Sequence, residues 1–257
     1  MTRTARKMSS TGIHHVIIRG INRQQIFEEQ ADYEKFLAIL AEVKEISGCK
    51  LFAYCLMGNH LHVLVKEGGE SISEVFRRIG ARYVVWFNRK YGRIGHLFQD
   101  RFKSEPVETD EYLLHLLSYI YRNPVEAGIC QEPEEYDWSS RKYLGKGGLE
   151  DEAELFEIVP LKVILEYEGG GSGKVDLPGV KTSRRIALSD NEVFDSLKKL
   201  SGAENTTAFQ GLDKGTQREV FVQLREQGAS IRQLARLSGY GKGLVEYRCR
   251  EVKQNKS

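Results

Sequence analysis

Short runs of β-branched and aromatic residues alternate with longer stretches of helical periodicity in the first half of the chain. From these runs we predict strands over 13–20, 50–57, 60–65 and 102–108. Apolar residues three and four positions apart predict helices over 32–47 and from 72 to about 91. The resulting order, β-α-β-β-α-β, is that of a ferredoxin-like α+β fold. In this fold an antiparallel sheet packs both helices on one side, and we expect the other sheet face to be open.

Local sequence signals mark the ends of these elements. Gly48 is placed to end the first helix, and Ser71 with Glu74 has the Ser-x-x-Glu form of a capping box for the second. Gly58 and Asn59 predict a tight hairpin that leads into the strand beginning with a histidine. The register of that strand therefore follows from the turn.

A third helix is predicted after Thr109, which can cap it, and this helix must stop at Pro124. Tyr119 and Asn123 are four residues apart and share one face of the helix, with His115 one turn earlier. That face is a candidate functional surface. The alternative is that Tyr119 is a core aromatic residue and Asn123 a C-cap.

The composition changes after residue 146. We predict a first domain over 1–146, a linker over 147–180 and a helical domain over 181–257. The glycine-rich run over 168–174 looks like a phosphate-binding loop, but Glu168 stands where the first glycine should be and Val175 replaces the required Ser or Thr. A flexible linker is the better interpretation.

The last domain carries a helix-turn-helix pattern over 230–245, after helices predicted over 189–202 and 214–228. Ala235 is small where two helices must approach, Gly239 lies in the turn, and Val245 packs the second helix back. Basic residues surround the pattern: Arg232, Arg236, Lys242, Arg248 and Arg250. DNA contact is the favoured interpretation, and a plain helical bundle is the alternative.

Composition and charge narrow the class of protein. The chain has 257 residues and a net charge of +2, and it shows neither an apolar stretch of membrane-spanning length nor a signal peptide, so we expect a cytoplasmic protein. Its four cysteines lack Cys-x-x-Cys spacing, which argues against a disulfide framework and a zinc knuckle. Basic residues cluster between 77 and 103, as either a phosphate-binding surface or a solvated helix face.

His60 and His62 flank one residue at the start of the third strand. Side chains two apart lie on the same face of a strand, so both imidazoles can bind one metal ion while Leu61 faces the other way. An ordinary polar face of a half-exposed sheet is the competing interpretation. A metal site would also need a third ligand, for which the third helix offers candidates.

Three motifs in this order resemble those of the REP-associated tyrosine transposases, part of the HUH single-strand nuclease superfamily. They lie at 58–62 (GNHLH), 95–102 (GHLFQDRF) and 119–128 (YIYRNPVEAG), and the likeness spans roughly residues 10–145. The resemblance implies a ferredoxin-like nuclease domain in which His60 and His62 bind the metal. It implies that Tyr119 is the nucleophile and that Asn123 completes the site.

The resemblance further implies a single-stranded DNA endonuclease and strand transferase that acts on hairpins of repetitive palindromic DNA through a 5′-phosphotyrosine. Mixed nitrogen and oxygen ligands favour Mg²⁺ or Mn²⁺. Candidates for DNA contact are basic residues of both domains: Arg19, Arg23, Arg77, Arg78, Arg82, Arg101, Lys103, Arg232, Arg236 and Lys242. His14 and His15 are interpreted as polar sheet positions. A non-catalytic DNA-binding regulator is the alternative, and the protein is expected to be a monomer or a homodimer.

Overall fold

The computed structural model of the protein describes residues 8–167, 188 and 190–250. Its first elements follow the predicted order: β1 (Ile13–Arg19), α1 (Gln30–Ser47), β2 (Lys50–Met57), β3 (His60–Lys66), α2 (Ile72–Lys90) and β4 (Lys103–Pro106). Further helices follow: α3 (Asp110–Glu126), α4 (Glu152–Ile158), α5 (Leu161–Glu166), α6 (Asp190–Ser201), α7 (Thr206–Gly211), α8 (Lys214–Glu226), α9 (Ile231–Ser238) and α10 (Lys242–Arg250). None of the helices in these described ranges is both long and apolar enough to cross a membrane.

The sheet confirms the predicted ferredoxin-like fold. Its strands are antiparallel in the order β2-β3-β1-β4. Met57 lies opposite His60, which is the register that the Gly58-Asn59 hairpin predicts. On the other side of β3, Ile17 lies opposite His62 and Arg19 opposite His60. Residues directly opposite each other share a face of the sheet, so Arg19 and both histidines point to the same side.

The first face of the sheet packs on α1 and α2, as predicted. Val16, Leu61 and Val63 are buried there against Phe36 and Ile79 of the two helices. The signals at the helix ends are also confirmed, since α1 ends at Gly48 and the Ser71 side chain accepts a hydrogen bond from the Glu74 amide. This side of the molecule is therefore a core and offers no binding surface on the sheet itself.

The second face of the sheet is not open, and the prediction that it would be is wrong. Phe52 and Leu64 are buried on this face beneath Leu116 and Ile120 of α3, and Leu155 of α4 joins the same core. The physical reason is that β2 and β3 carry apolar side chains on both faces. Burying them stabilises the fold by about 1.5–3 kcal/mol per large side chain, so a covering layer is required. The histidines lie at the edge of that layer.

Helix α3 continues past Pro124 to Glu126, so the predicted end of the helix at Pro124 is wrong. Pro124 donates no hydrogen bond and its ring crowds the preceding turn, but the amides that follow it can still bond and close the last turn. The end of the helix is closed by other amides: Ala127 donates to the Asn123 carbonyl at 3.0 Å and Ile129 to the Pro124 carbonyl at 2.9 Å. Asn123 therefore sits inside the last turn of a helix with its side chain directed by helical geometry.

Part of the predicted linker is helical. Helices α4 and α5 lie within 147–180 and bury Leu155, Val159 and Ile164 against α3. Their polar residues also bond the sheet, because Lys66 forms a 2.6 Å ion pair with Glu154. Interspersed acidic residues hide the short apolar repeat in the sequence. The glycine-rich run over 168–174 lies outside the described residues.

The C-terminal helices form their own core, which confirms the predicted helical region. Ala235 and Val245 are buried in that core, as the sequence pattern required. Gly239 joins α9 to α10 with a left-handed backbone, φ 71°. Helix α7 was not predicted, since its only clear sequence signal is Asn205, whose side chain caps the Ala208 amide at 2.8 Å.

The C-terminal helices contact the first domain at the turn that follows β1. Helix α9 packs on the 3-10 turn Ile21–Arg23. Close by, the Thr206 amide at the start of α7 donates a hydrogen bond to Glu28 Oε2 at 3.0 Å. Burial raises the pKa of Glu28 to about 7, against 4.5 for an ordinary glutamate. The junction thus contains a carboxyl group that titrates near neutral pH.

Glu28 is expected to make the protein less stable as the pH rises. Between about pH 4.5 and 7 the folded protein binds the Glu28 proton and the unfolded chain releases it, so the free energy of unfolding falls across that window by up to about 3 kcal/mol. Glu28→Gln cannot titrate and should gain thermal stability relative to wild type between pH 5 and pH 8, as measured by the unfolding midpoint. An identical difference at both pH values would contradict this expectation.

Candidate active site

Strand β3 and helix α3 of one chain bring His60, His62 and Tyr119 into a single cluster. The ring centroids of His60 and His62 are 5.2 Å apart with the rings nearly perpendicular. The His62 and Tyr119 centroids are 5.4 Å apart, again edge to face. The strand supplies the histidines on one face by its alternation, and the helix passes over that face. The residues that the sequence analysis paired therefore meet within one molecule.

Asn123 lies one helical turn after Tyr119 and connects the two halves of the cluster. Its side chain lies close enough to both His60 and Tyr119 to affect the pKa of each through hydrogen bonding. This contact follows from the four-residue spacing, which places the two side chains on one face of α3. Tyr121, the other tyrosine of the segment, is buried in the core beneath α3 and is absent from the cluster. The helix face that was predicted to be functional is the face that meets the histidines.

His15 is a member of the cluster that the sequence analysis missed. Its Nε2 lies 2.9 Å from Nδ1 of His62, and the two rings stack at 5.1 Å. Its ring centroid is also 6.3 Å from that of Tyr119. The only sequence signal is alternation along β1, which becomes informative once β1 is known to pair with β3. His14 points to the opposite face of the sheet, where its Nε2 is 3.7 Å from Glu67.

Burial keeps the three site histidines in their neutral form. It lowers the pKa of both His15 and His60 to about 4, with Arg19 adding to the effect at His60. It also holds the pKa of His62 well below its usual value, helped by the neighbouring His60 and His15. A neutral imidazole is the form that binds a metal ion. At physiological pH these rings are therefore ready to act as ligands and do not need to lose protons first.

The hydrogen bonds of the two strand histidines fit a metal site. Nδ1 of His60 lies 2.7 Å from Asn59 Oδ1, and Nδ1 of His62 is held by His15. Metal-binding histidines typically have one ring nitrogen fixed in this way, which directs the other toward the ion. Nε2 of His62 is buried and has no hydrogen-bond partner among the described residues, an arrangement that is costly unless a ligand satisfies it.

A third ligand would come from an amide. Within the ranges that the structure describes, no group of three or more His, Cys, Asp or Glu side chains is arranged to hold a metal ion. Asn123 offers an amide oxygen next to His60 for this role, whereas the Asn59 amide oxygen already bonds Nδ1 of His60. Two imidazoles and an amide oxygen would form a neutral, mixed donor set, which suits a labile divalent ion.

Tyr119 is held as a neutral phenol by its surroundings. Burial raises the pKa of Tyr119, the hydrogen bond from Asn123 lowers it, and Glu126 on the same helix raises it. Arg19 lowers the pKa of Tyr119, so positive charge does favour the phenolate as expected, but burial has the larger effect. The chain alone therefore does not ionise this tyrosine, and a further positive charge at the site would be needed to do so.

The basic residues predicted to contact DNA separate into two groups. Arg19 lies directly opposite His60, and the charges of Arg23 and of Arg236 on α9 also lower the pKa of His60. Arg232 of α9 is close enough to Arg23 for its charge to lower the pKa of that arginine. Lys103 lies opposite Ile17, which lies opposite His62, so its side chain is on the histidine face of the sheet. Arg101 is exposed in the loop before β4.

The other predicted contacts are not brought to the histidines. Three of them lie on α2, on the opposite side of the sheet, in ion pairs with acids: Arg77 with Glu74, Arg78 with Glu70 and Arg82 with Glu42, at 2.7, 2.9 and 2.8 Å. Lys242 pairs with Glu246 within α10 at 3.1 Å. For the α2 residues, a solvated helix face describes the basic cluster better than a phosphate-binding surface.

The motif at 95–102 has a structural part in the site. The Leu97 carbonyl accepts a hydrogen bond from the Ile21 amide, and the Gln99 amide donates to the Arg19 carbonyl, both at 2.9 Å. Phe98 stacks on Tyr83 of α2. The segment therefore fixes the end of β1 and the turn after it, which carry Arg19 and Arg23.

Part of the chain is similar to known proteins. A family model described as "Transposase IS200 like" matches residues 8–123. Among solved structures, a REP-associated tyrosine transposase bound to a REP hairpin is 20% identical, with a TM-score of 0.48 over 58% of this chain and 90% of that one. A Deinococcus radiodurans R1 protein assigned provisionally to the transposases is 15% identical, with a TM-score of 0.34 over 46% and 95%. No curated protein sequence matches the chain.

Proposed function

We propose that the protein cleaves and rejoins single-stranded DNA through a covalent bond to Tyr119, and that residues 8–123, which match the model of the IS200-like transposases, form the domain that does so. The observation that carries the proposal is the meeting of Tyr119 and Asn123 with the His60–His62 pair in one chain. Core aromatic residues pack against apolar neighbours. Tyr119 packs on such a core too, but its ring also meets the imidazoles of His15 and His62, each of which has a buried nitrogen without a hydrogen-bond partner among the described residues.

The proposed reaction is a transesterification. The Tyr119 oxygen attacks a backbone phosphorus, and the bond from phosphorus to the 3′ oxygen breaks. The phenol loses one proton and the departing 3′ oxygen gains one, so no net proton is released. The products are a 5′-phosphotyrosine and a free 3′-hydroxyl. Because the phosphodiester energy is retained in the new bond, the 3′-hydroxyl of a second strand can reverse the step without ATP.

The residues of the cluster have different roles in the proposed reaction. His60, His62 and Asn123 would hold Mg²⁺ or Mn²⁺, which when bound polarises the phosphate and neutralises charge that develops on its oxygens. Asn123 also holds the Tyr119 hydroxyl in place. His15 fixes the orientation of the His62 ring through the bond between its Nε2 and Nδ1 of His62. Arg19, which lies opposite His60, supplies a positive charge beside the attacked phosphate.

The shape of the site favours a single strand or the junction of a hairpin as substrate. Helix α3 lies over β2 and β3 on the sheet face that carries the histidines, so a phosphate would reach them beside this helix. A flexible single strand can bend its backbone into such a place, whereas a stacked duplex cannot do so without unpairing.

The second candidate function is a DNA-binding regulator that uses the C-terminal helices. The buried Ala235 and Val245 and the left-handed turn at Gly239 favour it, because they give α9 and α10 the packing of a helix-turn-helix. Cleavage separates the two candidates. A regulator would bind duplex DNA and leave every strand intact with any divalent ion.

Replacing the nucleophile tests the proposed enzyme. Tyr119→Phe removes the attacking oxygen and keeps the ring, so we expect it to abolish the covalent adduct with a labelled hairpin strand on a denaturing gel and to retain binding of the strand. Tyr143→Phe, at an exposed tyrosine, is the matched control and should form the adduct at wild-type yield. An adduct of normal yield in Tyr119→Phe would refute the assignment.

His15 is expected to act as a positioning residue for the proposed metal ligand His62. His15→Ala should weaken Mn²⁺ binding about 10- to 100-fold, as is typical when the partner of a ligating histidine is lost. His15→Gln, whose amide can still bond His62, should recover part of the affinity. His14→Ala, on the opposite face, is the control. Titration of Mn²⁺ by electron paramagnetic resonance measures the affinities, and equal losses in the His14 and His15 variants would contradict the proposed role.

A further inference from the structure

The turn that follows β1 adopts an uncommon backbone. Asn22 and Arg23 have φ values of 52° and 61°, in the left-handed region that non-glycine residues rarely enter. Each such residue costs roughly 1 kcal/mol or more and persists only where its surroundings impose it, which is frequent at functional sites. A side chain at Gly20 would collide with the Gln24 carbonyl, so the turn is also tightly closed. The fold thus maintains a strained conformation to place Arg23.

The C-terminal helices dock on this strained turn. Helix α9 packs directly on Ile21–Arg23. Gln24 lies against the turn between α9 and α10, and its Oε1 accepts a 3.0 Å hydrogen bond from Arg93 of the first domain. Arg232 and Arg236 are four residues apart and therefore share the face of α9 that meets the turn.

Like charges are concentrated at the junction. Burial lowers the pKa of Arg23, and the charges of Arg236, Arg19 and Arg232 lower it further, while Asp190 acts in the opposite direction and less strongly. Asp190 forms an ion pair with Arg236, yet the Nε of Arg236 is buried without a hydrogen-bond partner among the described residues. Such a group of guanidiniums is unfavourable by itself and is stabilised by an anion with several oxygens.

The position of the cluster identifies the anion. Arg19 lies directly opposite His60 in the sheet, and the charges of Arg236 and Arg23 also reach His60. The cluster therefore begins at the proposed active site and extends outward over α9. A DNA strand whose phosphate lies at the histidines would pass along these arginines next.

We propose that Arg19, Arg23, Arg232 and Arg236 form one phosphate-binding site, built by both domains, for the single strand that continues from the scissile phosphate. The identity of the strand rests on the proposed function. In this arrangement α9 binds the strand that is being cut, and the C-terminal helices form the second half of a groove for single-stranded DNA. They are not a separate reader of duplex DNA.

Binding of defined DNAs to full-length protein tests this site. All variants are made in the Tyr119→Phe background, which prevents covalent trapping, and fluorescence anisotropy is measured with three labelled probes: a hairpin with a ten-nucleotide single-stranded flank, the same hairpin without the flank, and a blunt duplex. Arg23→Gln and Arg232→Gln should each bind the flanked hairpin about five- to tenfold more weakly and reduce the salt slope by roughly 0.7 per lost phosphate contact. Binding to the two probes without the flank should be unchanged.

Charge-matched controls separate the site from a general loss of positive charge. Arg89→Gln on α2 and Lys199→Gln on α6 each remove one exposed charge and should change the affinity less than twofold. Arg236 is left intact because it carries the ion pair with Asp190, and thermal unfolding verifies that the Arg23 and Arg232 variants are folded.

The outcomes distinguish this site from the proposed function. Normal binding of the flanked hairpin by Arg23→Gln and Arg232→Gln would overturn the site. An equal loss of affinity for the flanked hairpin and for the blunt duplex would also overturn it, because it would indicate that α9 binds duplex DNA. Covalent adduct formation by the wild-type protein is scored separately. A loss of affinity that is confined to the flanked hairpin supports the site even if the wild-type protein forms no adduct. If the wild-type protein forms the adduct and the variants bind the flanked hairpin normally, the phosphate-binding site is refuted and the proposed function is not.

Discussion

The pairing of β1 with β3 is the constraint on which the rest of the candidate site depends. This register puts Arg19 opposite His60 and Ile17 opposite His62, so that His15, Arg19 and both strand histidines share one face. A slip of one residue would turn that whole set of β1 side chains to the other face. The Gly20 amide donates a 3.0 Å hydrogen bond to the Asn59 carbonyl, and this bond, with those of Ile21 and Gln99 to neighbouring segments, holds the register at the end where the site lies.

Burial then sets the chemistry of the cluster in two opposing ways. It removes protons from His15, His60 and His62, which suits metal binding, and it raises the pKa of Tyr119, which disfavours the phenolate. Both effects have one cause, the cost of charge in a poorly solvated place. A bound cation would reverse the second effect and make use of the first. The proposed metal and the proposed nucleophile therefore depend on each other.

Much of this could be predicted from the sequence because the signals are local. Alternation around His60-Leu61-His62, the hairpin turn, and the four-residue spacing of Tyr119 and Asn123 each describe neighbours in the chain. His15 was missed because its role depends on pairing with a distant strand. The open sheet face was predicted wrongly because the sequence shows that α3 is amphipathic but not that its apolar side packs on this sheet. Arg77, Arg78 and Arg82 looked like DNA contacts until their ion pairs and their side of the sheet were known.

The central claim is that one chain supplies both halves of the site, and mixing two inactive variants tests it most directly. One variant carries His60→Ala and His62→Ala and keeps Tyr119, and the other carries Tyr119→Phe and keeps the histidines. Tyr119 lies beside the histidines of its own chain, so the mixture should form no covalent adduct with a labelled hairpin strand. Adduct formation by the mixture, from two variants that form none alone, would show that Tyr119 acts on the histidines of another molecule and would contradict the account.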